Sequence, residues 1–274
     1  MKVFAPAKVN LALHVTGRRA DGYHLLDSLV VFADVGDHLS INAADRLTLR
    51  IAGPCAQGVP NGAENLIWRA ARLLDPDRGA AIVLEKYLPH AGGVGGGSAD
   101  AAAALRGLSA VWGMDLPDTD AILKLGADVP ACLYGWPCRM SGIGGHIENI
   151  PPLPPLWMVL VNPCVTLPTG DVFARMSHAD NPPMPSPRWK GLDDFLTWLC
   201  ATRNDLTAPA RAIVPTIDKV LGHLTVQAGC LLSRMTGSGA TCFGLFADLE
   251  AAQIAAQHIQ RAEPSWWMRA AKIL

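Results

Sequence analysis

Apolar and β-branched residues run and alternate through Val9–Thr16 and again through Leu25–Val35. A period of two over such lengths predicts two strands. Between them Gly17-Arg18-Arg19-Ala20-Asp21-Gly22 is polar and turn-rich, so the pattern reads as a hairpin-like pair around a functional loop. Strand character continues over His38–Ala43 and Arg46–Ile51. Asn65–Leu74 switches to helical spacing through Leu66, Ala70 and Leu73, and Ala81–Glu85 returns to a short strand. Ala99–Trp112 is alanine-rich and strongly helix-forming. Asp118 stands where it would cap a short helix reaching Leu125.

Pro151-Pro152-Leu153-Pro154-Pro155 can continue no element and sets the expected boundary between units at 1–150 and 151–274. Beyond it the pattern predicts a strand over Trp157–Val161 and helices over Asp193–Ala201 and Pro209–Leu224. Strands over Leu231–Met235 and Cys242–Phe246, a helix over Leu249–Arg261 and a strand over Trp267–Leu274 complete the order. Such a succession predicts an α+β fold, with an antiparallel sheet covered by helices on one face.

Composition narrows the classes. Of the 274 residues only 17% are charged, and 23 Lys and Arg nearly cancel 24 Asp and Glu. That balance excludes a chain recruited to nucleic acid or anionic lipid by bulk charge. The seven cysteines are odd in number, widely spaced and without a C-x-x-C pair, so buried thiols in a reducing compartment are expected. Lys8 and Asn10 interrupt what would be the apolar stretch of a signal peptide, and no apolar run reaches the ~18 residues of a membrane helix. A cytoplasmic protein is the expectation. The eight histidines are scattered, with no H-E-x-x-H, and predict no metal site.

The most informative stretch is Pro89-His90-Ala91-Gly92-Gly93-Val94-Gly95-Gly96-Gly97-Ser98-Ala99-Asp100. Glycine loses more backbone freedom on folding than any other residue, so a loop that only turned would use one or two. Several in a row before a strong helix let main-chain N–H groups approach a ligand, and the helix adds donors and a positive dipole end. Phosphate suits that arrangement. Neither familiar phosphate pattern fits: the Walker loop lacks its lysine, and Ser98 and Asp100 stand where a dinucleotide fingerprint would need glycine. A second patch, Thr236-Gly237-Ser238-Gly239-Ala240, follows a strand, and Gly142-Ile143-Gly144-Gly145 reads as a strand-linking turn.

With Pro6-Ala7-Lys8-Val9-Asn10-Leu11 near the start, the central glycine loop and the Thr236–Ala240 patch occurring in that order, the chain resembles the GHMP kinase superfamily. Gly17–His24, Gly126-Ala127-Asp128-Val129-Pro130 and Asn204-Asp205-Leu206 narrow the resemblance to the branch whose acceptor is a cytidine diphosphate sugar-alcohol. The resemblance implies a ribosomal-protein-S5-like N-terminal domain and a ferredoxin-like C-terminal domain. It implies transfer of the γ-phosphoryl group of ATP to the 2-hydroxyl of that acceptor, a step of the non-mevalonate route to isoprenoid precursors.

By the same resemblance Lys8 and Asp128 form the catalytic pair. An alcohol is a poor nucleophile near neutral pH, so a carboxylate placed to take its proton helps. A lysine beside it favours the ionised carboxylate and offsets charge on the transferring group. On the bare sequence, Asp128 reads sooner as a helix cap than as a catalytic group, and Lys8 as a solvated strand residue. Residues 89–99 are implied for ATP, with Asn65 near the adenine or simply capping a helix. Asn10, Tyr23, His24, Thr169 and Phe173 are implied for the acceptor, the aromatic rings offering stacking faces to a base. Mg²⁺ is expected with ATP, yet no cage of carboxylates is visible, so no protein ligand is assigned.

Val94 replaces a usual Leu or Ile, Thr207 stands where Glu is common, and the proline-rich residues 177–190 read as a surface loop away from the chemistry. Two alternatives stay open. A homoserine or mevalonate type of small-molecule kinase is disfavoured by Tyr23 and His24, and a silent nucleotide-binding module by Lys8 and Asp128.

Overall fold

The computed structural model describes residues 1–90 and 92–274; Ala91, within the predicted phosphate loop, lies outside the described residues. The two predicted N-terminal strands are much longer than their hydropathy pattern. β1 (Lys2–Arg18) and β2 (His24–Ala43) run antiparallel over almost their whole length. Register shifts between Pro6 and Lys8, Asn10 and Ala12, and Val15 and Gly17 break the ladder at three places. Such bulges twist a strand and re-aim its side chains. Between the first two, Ala7, Val9 and Leu11 face the core while Lys8 and Asn10 face the opposite side.

One edge of β2 is shared between two partners. Its C-terminal part pairs with β4 (Ala80–Glu85), itself parallel to β3 (Thr48–Ala52). Its N-terminal part pairs with β5 (Cys138–Gly142), which forms a hairpin with β6 (His146–Asn149). Helices α1 (Leu66–Leu74) and α2 (Gly96–Trp112) pack on this sheet, with Leu39, Ile41, Ile67, Ile82, Leu84 and Leu105 fully or nearly buried between them. The alanines of α2 are explained by closeness: a Cβ on Gly107 would fall 2.5 Å from the Ile41 side chain, so only small residues fit that face. α3 (Thr119–Leu123), capped by Asp118, and α4 (Val129–Tyr134) complete the first half. α4, β5 and β6 lacked a periodic signal because each is four to six residues long.

After the prolines the chain enters a second, wholly antiparallel sheet. Its order is β10 (Trp267–Lys272), β7 (Trp157–Asn162), β9 (Cys242–Phe246), β8 (Leu232–Met235). This is the ferredoxin-like order expected. Alternation along β7 sends Val159 and Val161 to one face, under α8 (Thr216–Thr225) and α9 (Leu249–Ala262), and Met158 and Leu160 to the other. That other face packs on Val9 and Leu11 of β1 and on Phe195 of α6 (Leu192–Cys200), so one apolar cluster joins the two sheets.

Three sequence expectations need correction. The helix predicted over Pro209–Leu224 is two, α7 (Thr207–Ile213) and α8, because Pro215 supplies no N–H to continue the ladder. Residues 177–190 are no free surface loop: Met184 and Trp189 are buried, and the Met184 N–H donates to Asp27 Oδ2 (2.8 Å). Buried His14 fastens the same segment, Nδ1 to Pro182 O at 3.0 Å, while the Arg203 N–H donates to its Nε2. Of the cysteines, Cys132, Cys138 and Cys242 are buried as expected, but Cys164 and Cys200 are exposed. Helix α5 (Thr169–Ala174) was not foreseen, again for its shortness. Among the described residues no helix is long and apolar enough to cross a membrane.

Phe243 sits fully buried between the two sheets. Its replacement by Ala is expected to cost about 3–5 kcal/mol of stability, read by denaturant unfolding; a loss under about 1 kcal/mol would show that the two sheets do not depend on this contact.

Candidate active site

The two sheets meet around a cavity of about 490 Å³ lined by Lys8, Asn10, Asn65, Asp128, Thr169 and Phe173 together with the glycine loop and Gly237-Ser238. A second cavity of about 590 Å³ adjoins it, sharing Leu26, Ala127 and Phe173 and adding Arg18, Tyr23 and His24. Both sizes suit small organic ligands.

Lys8 is 3% exposed. Its ammonium donates to Asn10 Oδ1 at 2.8 Å and lies 2.9 Å from Asp128 Oδ2. Asn10 is itself held, its amide nitrogen donating to Ser28 Oγ at 2.7 Å and its backbone N–H to Thr236 Oγ1 at 2.9 Å. The lysine is therefore aimed before any ligand arrives. Asp128 occupies the N-cap position of α4 but makes no capping hydrogen bond, so its carboxylate is free to face Lys8. The turn at Gly144, φ +104°, explains its placement in part. A Cβ there would fall 2.0 Å from the Ala127 carbonyl oxygen, so the glycine patch read as a plain turn abuts the residue before Asp128.

The glycine loop is pinned from both sides. Lys8 N–H donates to Val94 O at 3.0 Å. Thr241 Oγ1 and Asn162 Nδ2 donate to Gly92 O. Gly93, φ +77°, lies so close to the second glycine patch that its Cβ would be 2.6 Å from Gly239 O. Helix α2 begins at Gly96, earlier than predicted, and its N-cap Gly95 offers no side-chain cap. Its first-turn N–H groups are left for a ligand, at the positive end of the helix.

Most of the residues implied by sequence converge here. Pro89, His90, Gly92, Gly93, Gly95, Gly96, Gly97 and Ser98 line the first cavity, whereas Val94 and Ala99 are buried and turn away from it. Asn65 caps α1, its Oδ1 accepting from Ile67 N–H at 2.8 Å, and the residue also lines the cavity. Thr169 Oγ1 shares a 2.8 Å hydrogen bond with Ser238 Oγ. Tyr23 and His24 line the second cavity and not the first. The His24 ring stacks on Phe173, centroids 4.7 Å apart, and burial with Arg18 nearby lowers its pKa below the ordinary histidine value. Asn204 was read only as family support; its side chain donates to Met235 O and Gly237 O, holding the second glycine patch.

Sequence reasoning missed a buried ion cluster. Lys86 Nζ bonds Asp37 Oδ2 at 2.5 Å and Asp100 Oδ2 at 2.7 Å directly behind Gly96. Asp100 was quoted as the end of the loop motif without a role, and nothing in the pattern of β2 marks Asp37.

A glycine loop opening a helix beside a lysine–aspartate pair, on these two sheets, is the arrangement of a GHMP kinase. The family models "GHMP kinases N terminal domain" and "GHMP kinases C terminal" match residues 65–136 and 183–264. A protein named 4-diphosphocytidyl-2-C-methyl-D-erythritol kinase from Jannaschia sp. (strain CCS1) is 58% identical over 99% of this chain and 96% of its own length. A protein of the same name from Ruegeria pomeroyi is 53% identical, covering 100% of this chain and 99% of its own. The chain belongs to the 4-diphosphocytidyl-2-C-methyl-D-erythritol kinase family. A crystal structure of 4-(cytidine 5'-diphospho)-2C-methyl-D-erythritol kinase superposes with a TM-score of 0.81 at 33% identity, covering 100% of this chain and 99% of that one. A homoserine kinase from Cytophaga hutchinsonii shares the fold, with a TM-score of 0.67 at 18% identity over 100% of this chain and 94% of that one.

Replacing Gly93 by Ala must push the two glycine patches apart. Nucleotide affinity is expected to fall at least tenfold (about 1.4 kcal/mol), measured by calorimetric titration with ADP; unchanged affinity would show that the patches need not touch.

Proposed function

We propose that the protein transfers the γ-phosphoryl group of ATP to the 2-hydroxyl of 4-diphosphocytidyl-2-C-methyl-D-erythritol, giving the 2-phosphate and ADP. The observation that carries the reading is the 2.9 Å Lys8–Asp128 contact at the mouth of the glycine loop. The names of the relatives at 58% and 53% identity supply the acceptor. We assign 1–150 to the domain carrying the phosphate loop and both charged groups, and 151–274 to the domain that completes the cleft with Thr169, Phe173 and Ser238.

The triphosphate lies along Gly92–Ser98, its oxygens accepting from first-turn N–H groups of α2, with Asn65 toward the adenine. Asp128 Oδ takes the proton of the acceptor hydroxyl as the O–P bond forms. Lys8, fixed by Asn10, offsets the charge that gathers on the transferring group. The carboxylate returns its proton to solvent through the cleft, on which its side chain is 31% exposed. Tyr23, His24 and Phe173 hold the cytosine, and Thr169 reaches the acceptor from the other side. Among the described residues no group of three or more His, Cys, Asp or Glu could hold a metal ion. Mg²⁺, which phosphoryl transfer from ATP calls on, would arrive on the phosphates of the nucleotide. All seven cysteines are free, which supports a reducing, cytoplasmic setting.

A coupled assay of ADP release tests the reading directly. The cytidine diphosphate alcohol should support turnover and homoserine should not; the reverse would sink it. Asp128→Asn should retain ADP affinity while kcat falls about 10²–10⁴-fold, and wild-type turnover in that variant would remove Asp128 as the base. Tyr23→Ala should raise KM for the cytidine substrate severalfold and leave KM for ATP alone. An unchanged acceptor KM would exclude stacking on that ring.

A further inference from the structure

Lys86, Asp37 and Asp100 cluster at the start of α2, where Lys86 and Asp100 also line the first cavity, and they take no part in the chemistry just derived. They come from three places in the chain: the residue following β4, the interior of β2 and the first turns of α2. All three are buried, at 2%, 0% and 4% exposure. Asp37 is saturated: Oδ2 accepts from Lys86 Nζ, and Oδ1 accepts from the Tyr87 and Leu88 N–H groups at 2.6 and 2.9 Å. Asp100 is not. Its Oδ2 accepts from Lys86, but its buried Oδ1 has no hydrogen-bond partner.

The charge count is informative. One ammonium and two ionised carboxylates carry a net −1, buried beside the glycine loop at the start of α2. A Cβ on Gly96 would fall 3.0 Å from Lys86 Nζ, so the cluster touches the backbone that starts α2. Adding anionic phosphates in front of a buried net negative charge is unfavourable, and like charges favour the neutral form of a carboxyl. Oδ1 of Asp100 is the one oxygen in the cluster that can take a proton without losing a hydrogen bond.

Resting on the reading that the glycine loop binds nucleotide phosphates, we propose that this cluster is a positioning group for the loop and that it takes up a proton on Asp100 when the nucleotide binds. The neutral cluster then consists of a Lys86–Asp37 ion pair and an Asp100 carboxylic acid. Lys86 stays charged: burial opposes its charge, but Asp100 and Asp37 together hold its ammonium above the ordinary lysine value. Asp100 is already pushed up to about 7, by burial above all and by the neighbouring Asp37 carboxylate, against the pull of Lys86. A proton near neutrality is thus within reach, and phosphate raises the affinity for it further.

Other ionisable groups face the cluster. Cys55, beyond β3, senses Asp37 and Lys86, and its thiol is pushed up chiefly by burial. His90 in the loop is pushed down by burial and by Lys86. Cys132 on α4 senses Asp100 and is pushed up by burial. Lys8 reaches Gly95 from β1, and the apolar Leu66 of α1 lies against Gly97. Of these only His90 could also gain a proton near neutral pH, so it is the control.

The test is calorimetric titration of the whole protein with ADP at pH 7.5–8, in two buffers of different ionisation heat, which reports protons exchanged per nucleotide. The wild type should take up a measurable fraction of a proton per nucleotide bound, as linkage requires of a group whose affinity for protons rises on binding. Asp100→Asn, an uncharged mimic of the acid, should melt like the wild type and bind ADP with no uptake. Its affinity should stay level from pH 7 to 8.5 while that of the wild type declines. His90→Gln should keep the uptake. No binding heat at all in the wild type would defeat the phosphate-loop reading itself. Binding without uptake, equal uptake in Asp100→Asn, or uptake lost in His90→Gln would each overturn the proposal. Should Asp100→Asn not fold, Asp100→Ser serves in its place with the same expected outcome.

Discussion

A buried ammonium with no anion beside it costs several kcal/mol, and the architecture of the cleft follows from satisfying the one on Lys8. Among the described residues, Asn10 Oδ1 and Asp128 Oδ2 are its partners. Asn10 comes from the same strand and is braced by Ser28 and Thr236. Asp128 comes from the far side, at the end of a tight turn that Gly144 can approach only because it lacks a Cβ. Half of the lysine's environment is therefore supplied locally and half by a segment 120 residues on. A displacement of that turn would leave the lysine without its anion, which ties the geometry of the proposed chemistry to the packing of the β5–β6 hairpin.

The same strand explains why two sheets make one site. Ala7, Val9 and Leu11 of β1 pack beneath the second sheet, against Met158, Leu160 and Phe243. Lys8 and Asn10, on the opposite side, look into the cleft. A period of two in one strand thus joins the halves with one set of residues and arms the cleft with the other. The bulges on either side of Lys8–Asn10 keep that alternation from being handed on unchanged, since Leu13 and Val15 belong to a different apolar cluster.

Long, periodic elements were legible in the sequence, and so was the chemistry that rests on short-range pattern. The ladder of α2 alanines, the alternation of β7 and the run of glycines each carry their signal within ten or so residues. α4, α5, β5 and β6 do not, because four to six residues cannot show a period. The strap over 177–190 read as surface because its prolines exclude regular structure. What holds it is a set of isolated contacts to His14 and Asp27, more than 150 residues away in the chain. The Lys86 cluster was invisible for the same reason: Asp37 and Asp100 are ordinary acidic residues until folding buries them against one amine.

The two ends of the cleft differ in how much they must change to accept ligand. At the phosphate end, main chain lies on main chain: Gly93 against Gly239, with Thr241 and Asn162 gripping Gly92. Buried hydrogen bonds hold the carbonyls of Gly92 and Val94 in place there. At the other end His24 and Phe173 already stack on each other at 4.7 Å. A ring inserted between them would need roughly 7 Å, twice a normal contact distance. A base must either displace one ring or stack on the outer face of the pair, beside Tyr23, which is 63% exposed. On the proposed reading, phosphate meets main chain packed on main chain, while the base meets a stacked pair of rings and an exposed tyrosine, so the choice of alcohol falls to the side-chain end of the cleft.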